Sequence, residues 1–244
     1  MSELLCVLWP AGNAEPHAGG EIELTAGESH HLVRVRRARE GDEVWAVVGD
    51  GRGVHCHLTR ADADAARLEV IGIVENWREP SVHLTLYLAP IRTAAFETVL
   101  SWGTALGLSR LVPLLCERIE RPRLNYGRLA RLAAEAAKQC GRGLIPPVCE
   151  PVPARQLFSD ETGEELLLIA DSSAIRGLTG LRDETRWDRI DRLGLVIGPE
   201  GGLTDDELAT AVAGGGHLVH LGARRLRTET AAIAALSLIL NESE

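Results

Sequence analysis

The stretch Leu195-Val-Ile-Gly-Pro-Glu-Gly-Gly-Leu-Thr-Asp-Asp-Glu-Leu208 decides the fold class. Its apolar start is short and uninterrupted, as in a strand of a parallel sheet covered on both faces. Thr204 and, three residues on, Glu207 carry the signature of a capping box, which predicts a helix from about Asp205. Strand, glycine-rich turn and helix in succession indicate an α/β unit, and loops at the carboxyl ends of its strands are where such proteins bind ligands. Gly198, Gly201 and Gly202 would let the backbone come close to a ligand. A plain strand-to-helix turn has the same composition, so the turn alone assigns nothing. No Gly-Lys-Ser/Thr follows it, and the spacing is not Gly-x-Gly-x-x-Gly, which argues against ATP hydrolysis and dinucleotide binding.

Working outward, the same alternation of apolar strands and helices starts at Val82. Strands are predicted at Val82–Ala89, Leu111–Leu115, Leu166–Ala170, Leu193–Ile197 and Leu218–Leu221. Phe96, Val99, Leu100, Gly103 and Leu106 fall at helical spacing, as do Leu129, Leu132, Ala133, Ala136, Ala137 and Cys140. A last helix runs to about Leu240. Before Val82 the pattern differs: alternating runs at 21–25, 42–48, 53–59 and 66–74 indicate a small β-barrel, with Asp50-Gly51 as a tight hairpin turn. Pro80 marks the break, giving a β domain over 1–76 and an α/β domain over 80–244.

The chain has 244 residues, 45% hydrophobic and 25% charged, which excludes a disordered or collagen-like protein. Its net charge of −9 argues at first against a polyanionic partner. The distribution qualifies that: residues 1–76 hold 7 basic and 13 acidic residues, 77–147 hold 10 and 5, and 148–244 hold 9 and 17. The middle third is basic, and Arg34, Arg36, Arg37 and Arg39 lie together without a carboxylate. A local patch can attract phosphate despite an acidic total, because screening confines charge effects to about 8–10 Å. Lys138 is the sole lysine against 25 arginines, which fits either codon bias or the better grip of a guanidinium on phosphate. Five scattered cysteines with no Cys-x-x-Cys pair speak against disulfides or structural zinc. His55-Cys56-His57 would put both histidines on one strand face, but with no second cluster they read as half-exposed strand residues, and no metal is expected. Without a leader or an apolar run of about 20 residues, a cytoplasmic protein with no membrane partner is expected.

The second informative stretch is Leu221-Gly-Ala-Arg-Arg-Leu-Arg-Thr-Glu-Thr-Ala-Ala-Ile-Ala-Ala-Leu236. Polar groups border an alanine-rich helix suited to close packing. Arg225 reads as a solvated turn residue, whereas Arg227-Thr228-Glu229-Thr230 reads as part of a site.

Taken together, Gly198-Pro-Glu-Gly-Gly202 and Leu221-Gly-x-Arg-x-Leu-Arg-x-Glu-Thr-Ala231 resemble the ribosomal RNA small subunit methyltransferase E family, of the SPOUT class. His31-x-x-Arg34-Val-x-Arg37, Leu106-Gly107 with Val112-Pro113-Leu114, and Lys138-Gln139-Cys140-Gly141-Arg142 extend the resemblance over nearly the whole chain. It implies a PUA-like β-barrel that binds RNA, a SPOUT-type α/β domain with a deep trefoil knot, and a homodimer. It also implies S-adenosylmethionine-dependent methylation of N3 of one uridine in 16S rRNA, with 16S rRNA or the small ribosomal subunit as partner. Knot, dimer and target base are not visible in composition or periodicity.

Carried over residue by residue, the resemblance implies a cofactor site of Gly198, Pro199, Glu200, Gly201, Gly202, Leu221, Gly222, Leu226, Thr228, Thr230 and Ala231. Uracil N3 holds a proton and is a poor nucleophile until that proton leaves, so the site needs a base or an anion-stabilising cation. Glu229 is the candidate for proton removal and Arg227 for charge stabilisation. RNA contacts are expected from Arg34, Arg37, Gln139 and Arg142, with Arg36 and Arg39 on a solvated face.

Where the family usually carries lysines and a glutamate around the first α/β helix, this chain has Ala95, Glu97, Trp102 and Ala105. The difference touches substrate handling, while both cofactor segments are intact. It leaves open a diverged paralogue that binds RNA or cofactor without catalysis. A dehydrogenase or phosphate-ester enzyme on a Rossmann-like sheet is disfavoured by the missing nucleotide motifs.

Overall fold

The computed structural model describes residues 4–119, 123–159, 163–185 and 189–240. The chain divides into two compact units, one running to Glu79 and taking in Ala134–Ile145, the other formed by Pro80–Ala133 and Pro146 onward. A single cut near residue 80 therefore misses one exchange: a short segment from the middle of the chain belongs with the N-terminal unit.

The first unit is a five-stranded sheet in the order β1-β3-β4-β5-β2. Its strands are β1 (Cys6–Leu8), β2 (Glu21–Glu23), β3 (Glu43–Val47), β4 (Gly53–Arg60) and β5 (Arg67–Val74). Alternation works as the sequence predicts: Val44, Ala46, Val54, Cys56, Leu58, Leu68 and Val70 point inward and are buried. The turn between β3 and β4 is longer than a two-residue hairpin. It runs from Val48 to Arg52, with Gly49 and Gly51 at φ of 105° and 102°, and the Asp50 carboxylate accepts from Arg52 N and Nε. Sequence periodicity overlooks β1 and the helix α1 (Ala26–His30), which passes into a π-helical turn over His31–Val35. Trp45 lies stacked between His55 and Trp77, with ring centroids 4.8 and 4.5 Å away, and Arg78 sits over the Trp77 ring. The His55 ring is committed to that stack, and Cys56 between the two histidines is buried.

The second unit is a six-stranded sheet in the order β11-β9-β10-β6-β7-β8, with every pairing parallel. The strands are β6 (His83–Leu88), β7 (Arg110–Leu115), β8 (Val152–Pro153), β9 (Leu166–Ala170), β10 (Arg192–Ile197) and β11 (His217–Val219). The helices are α2 (Thr93–Leu106), α3 (Tyr126–Cys140), α4 (Ala154–Ser159), α5 (Leu178–Thr185), α6 (Asp205–Ala213) and α7 (Thr228–Leu240). The C-terminal part of α3 belongs with the first unit, where Ala137 packs against Val47 and Trp77. The central strand β10 is buried from Leu193 to Ile197 and paired on both edges, as its uninterrupted apolar run requires. α2 packs on α7: Gly103 of α2 leaves space that Leu108 and Leu236 fill, and the alanine face of α7 buries Ala232 and Ala235. Because the strands are parallel, the loops after β6, β7, β9, β10 and β11 all leave the same edge of the sheet, and that edge carries the site. Among the described residues, no helix is long and apolar enough to cross a membrane.

Candidate active site

The capping box that the sequence predicts is formed in full. Thr204 Oγ1 accepts from Glu207 N at 3.2 Å, and Glu207 Oε2 accepts from Thr204 N at 2.8 Å. Ahead of it, Gly202 N donates to Pro199 O at 2.9 Å, and Gly202 takes a φ of 73° that a side chain would strain. The turn therefore closes on itself between β10 and α6. Segment 221–227 comes up beside it from β11, and Thr228, at the start of α7, donates from Oγ1 to Gly198 O at 3.3 Å.

Two cavities adjoin this turn. The first, of about 690 Å³, lies among the loops after β9, β10 and β11. It is lined by Ala170–Ser172, Ala174, Ile197–Leu203, His220–Leu226, Thr228 and Ala231. Of the residues expected to hold a cofactor, Gly198, Pro199, Glu200, Gly201, Gly202, Leu221, Gly222, Leu226, Thr228 and Ala231 all face it. Thr230 does not; it is exposed on the first turn of α7. Asp171, Ser172 and His220 also line the cavity and carry no sequence signature. The Asp171 carboxylate accepts from Ser173 N and Oγ at 2.8 and 2.6 Å, and His220 Nδ1 accepts from Gly222 N at 3.1 Å.

The second cavity, of about 780 Å³, is lined by Pro90–Arg92, Arg118, Ile119, Pro199–Gly201 and Arg225–Arg227. Residues 199–201, 225 and 226 line both cavities, so this part of the chain forms the wall between them. Among the described residues, four arginines face the second cavity. Arg118 Nη1 donates to Gly201 O and Arg225 Nη2 to Glu200 O, each at 2.8 Å. Arg225 is exposed in a turn, as its sequence reading has it, and is in addition bonded to the wall. Arg92 and Arg118 are functional candidates that the sequence pattern does not reveal.

Of the two candidate catalytic residues, Arg227 lines the second cavity, whereas Glu229 lines neither. Glu200, expected only in the cofactor site, is among the described residues the one carboxylate that borders both.

The expected RNA contacts divide as well. Arg34 is exposed on the π-helical turn, Arg37 is exposed just after it with a φ of 59°, and Gln139 is exposed on α3. Arg142 is not available: it is 3% exposed, and its guanidinium is paired with the Glu79 carboxylate, whose Oε1 also accepts from Leu144 N at 2.8 Å. Its place is inside the first unit. Arg36, expected on a solvated face, is half-buried and donates to Leu4 O at 3.0 Å. Three more of the ten basic residues of the middle third are paired with carboxylates. Arg110 pairs with Glu164, Arg128 with Glu97, and Lys138 with Glu28 and Glu135.

Residues 78–240 match the family model described as an RNA methyltransferase domain, and residues 24–71 match an RNA methyltransferase PUA domain. The chain is 31% identical to ribosomal RNA small subunit methyltransferase E of Synechocystis sp. over 89% of its length and 72% of the relative's. It is 28% identical to the protein of that name from Bacillus subtilis, over 91% of both chains. Among solved structures, a methyltransferase from Legionella pneumophila in complex with its bound cofactor SAM is 26% identical and superposes with a TM-score of 0.80 over 98% of both chains.

Proposed function

The chain belongs to the ribosomal RNA small subunit methyltransferase E family, and on that premise we propose that it methylates N3 of a uridine in 16S rRNA. It is an S-adenosylmethionine-dependent RNA methyltransferase. One observation supports the assignment of roles above all: a single wall, Pro199–Gly201 with Arg225–Leu226, separates a glycine-lined cavity from an arginine-lined one. A methyl donor on one side and a polyanionic acceptor strand on the other would meet across it.

The first cavity suits S-adenosylmethionine. Its volume lies in the ordinary range for a small-molecule site, about 300–1,000 Å³. A Cβ on Gly202 or Gly222 would meet no other atom, so both backbones present open space to a ligand. The backbone groups of Leu221, Gly222 and Leu226 offer adenine fixed donors and acceptors. The cofactor supplies a methyl group on a sulfonium.

The chain's own residues must hold the uracil and take its N3 proton. Arg227, in the arginine-lined cavity, stabilises the negative charge that spreads over the uracil carbonyl oxygens as the proton leaves. Glu200, bordering both cavities, is placed better than Glu229 to receive the proton. Arg34, Arg37 and Gln139 extend the RNA contact over the PUA-like unit.

The reading includes a trefoil knot at segments 198–202 and 221–231, a homodimer and action in the cytoplasm. The apolar residues Trp102 of α2 and Leu238 of α7, 58% and 40% exposed on two helices that pack together, form the surface on which a second copy would close. This gives Trp102, a departure from the family pattern, a use that does not bear on catalysis. The decisive experiment is mass spectrometry of 16S rRNA from a strain lacking the protein. The expected result is loss of 3-methyluridine and its return on complementation; persistence of the modification in the deletion strain would refute the target.

A further inference from the structure

Arg118, from the arginine-lined cavity, and Arg225, which lines both cavities, bond to successive carbonyls of the wall, those of Gly201 and Glu200. Each guanidinium spends one terminal nitrogen on that bond, which leaves donors of its planar fork for another acceptor. Neither residue pairs with a carboxylate among the described residues, and Arg92 and Arg227 make no side-chain hydrogen bond or ion pair there. Among the described residues this cavity carries four cationic heads and one carboxylate, that of Glu200, the charge balance of an anion site.

We infer that this cavity binds RNA phosphodiester groups through Arg118 and Arg225, and that the same two residues transmit that binding to the cofactor cavity by holding the Glu200–Gly201 turn. The inference rests on the functional reading above and adds a coupling between its two ligands. Both residues are positioning residues for the cofactor site. A phosphate taken up by the free side of each guanidinium fixes its orientation and so fixes the carbonyl at the other end. The turn that lines the cofactor cavity then loses less freedom when the cofactor binds, so RNA tightens the cofactor and, by linkage, the cofactor tightens RNA.

The test is calorimetry of S-adenosylmethionine binding to the full chain at constant ionic strength, with and without saturating hexauridylate. The expected result is a cofactor affinity about 5-fold or more tighter with the RNA. Arg118→Lys keeps the charge but replaces the rigid planar fork by a rotatable ammonium, so a phosphate bound to it no longer fixes the carbonyl. It should still bind hexauridylate and lose the tightening. Arg92→Ala, at a residue with no bond to the turn, should weaken hexauridylate binding and leave the coupling factor unchanged once RNA is saturating. Equal cofactor affinity with and without bound RNA overturns the inference, as does coupling that survives in Arg118→Lys or vanishes in Arg92→Ala. Failure of hexauridylate to bind refutes it while leaving the cofactor assignment intact. Failure of the cofactor to bind under either condition refutes the functional reading, and the inference with it.

Discussion

The buried carboxyl group of Glu207 accepts the backbone N–H of Glu117 at 2.9 Å, reaching from α6 to the loop after β7. The same side chain closes the capping box with Thr204. One residue thus ties the turn that borders the cofactor cavity to the loop that carries Arg118.

Replacing Glu207 by alanine removes the acceptor of two backbone N–H groups. Loss of the reciprocal half of the capping box and of the acceptor of Glu117 N is expected to destabilise the protein by about 2–4 kcal/mol. Glu207→Gln keeps one acceptor oxygen and should lose roughly half of that. Thermal unfolding measures both, and equal effects of the two substitutions would contradict the double role.

Glu200 and Glu229 can be separated by paired isosteric changes. Glu200→Gln is expected to lower the rate of methylation by about 10²-fold or more, the contribution of a positioned base, with little effect on folding. Glu229→Gln, at a residue lining neither cavity, should retain most of the rate. The opposite order in single-turnover assays with cofactor saturating would return the proton to Glu229.

Charge at the first unit makes a third contrast. Breaking a buried ion pair from one side leaves an uncompensated charge, so Arg142→Ala should cost about 3–5 kcal/mol of stability. The double change Glu79→Gln with Arg142→Met should recover part of it. Arg34→Glu with Arg37→Glu should leave stability nearly unchanged, weaken RNA binding and flatten its dependence on salt. Unchanged RNA affinity in that double variant would remove the π-helical turn from the interface.

Stability should fall on the alkaline side. Burial pushes the thiols of Cys56 and Cys116 up to about 12, and burial together with the neighbouring Glu164 does the same for the Tyr87 hydroxyl. The folded state therefore favours their protonated forms. The contribution of the thiols is complete below about pH 9, the ordinary thiol value, and is lost as pH rises through 12. The melting temperature is expected to decline from pH 9 upward, and less steeply in Cys56→Ala with Cys116→Ala. A slope that the double variant leaves untouched would assign the decline to other groups.

What could be read in the sequence was local. Thr204 and Glu207 stand three residues apart, and a capping box needs nothing from the rest of the chain. The cofactor segments were legible because glycine leaves a mark wherever backbone must stay bare. Arg118 meets its carbonyl partner across 83 positions and Arg142 its carboxylate across 63. Neither partnership has a period or a spacing to betray it, and a charge count cannot tell an arginine held inside a unit from one that awaits a phosphate. α1 escapes a periodicity reading because its five residues are too few for a helical period to show. Its N-cap Thr25, which accepts from Glu28 N, was the available signal.

The stack of Trp45 on Trp77, with planes 8° apart, makes two chromophores into one optical unit. Indoles so close share their excitation, so the pair should give a split circular dichroism band that disappears when the rings separate. Both belong to the first unit, whereas the exposed Trp102 belongs to the second. The chain therefore contains an intrinsic optical label for one half of itself, by which the melting of that half can be followed without dye, tag or substitution.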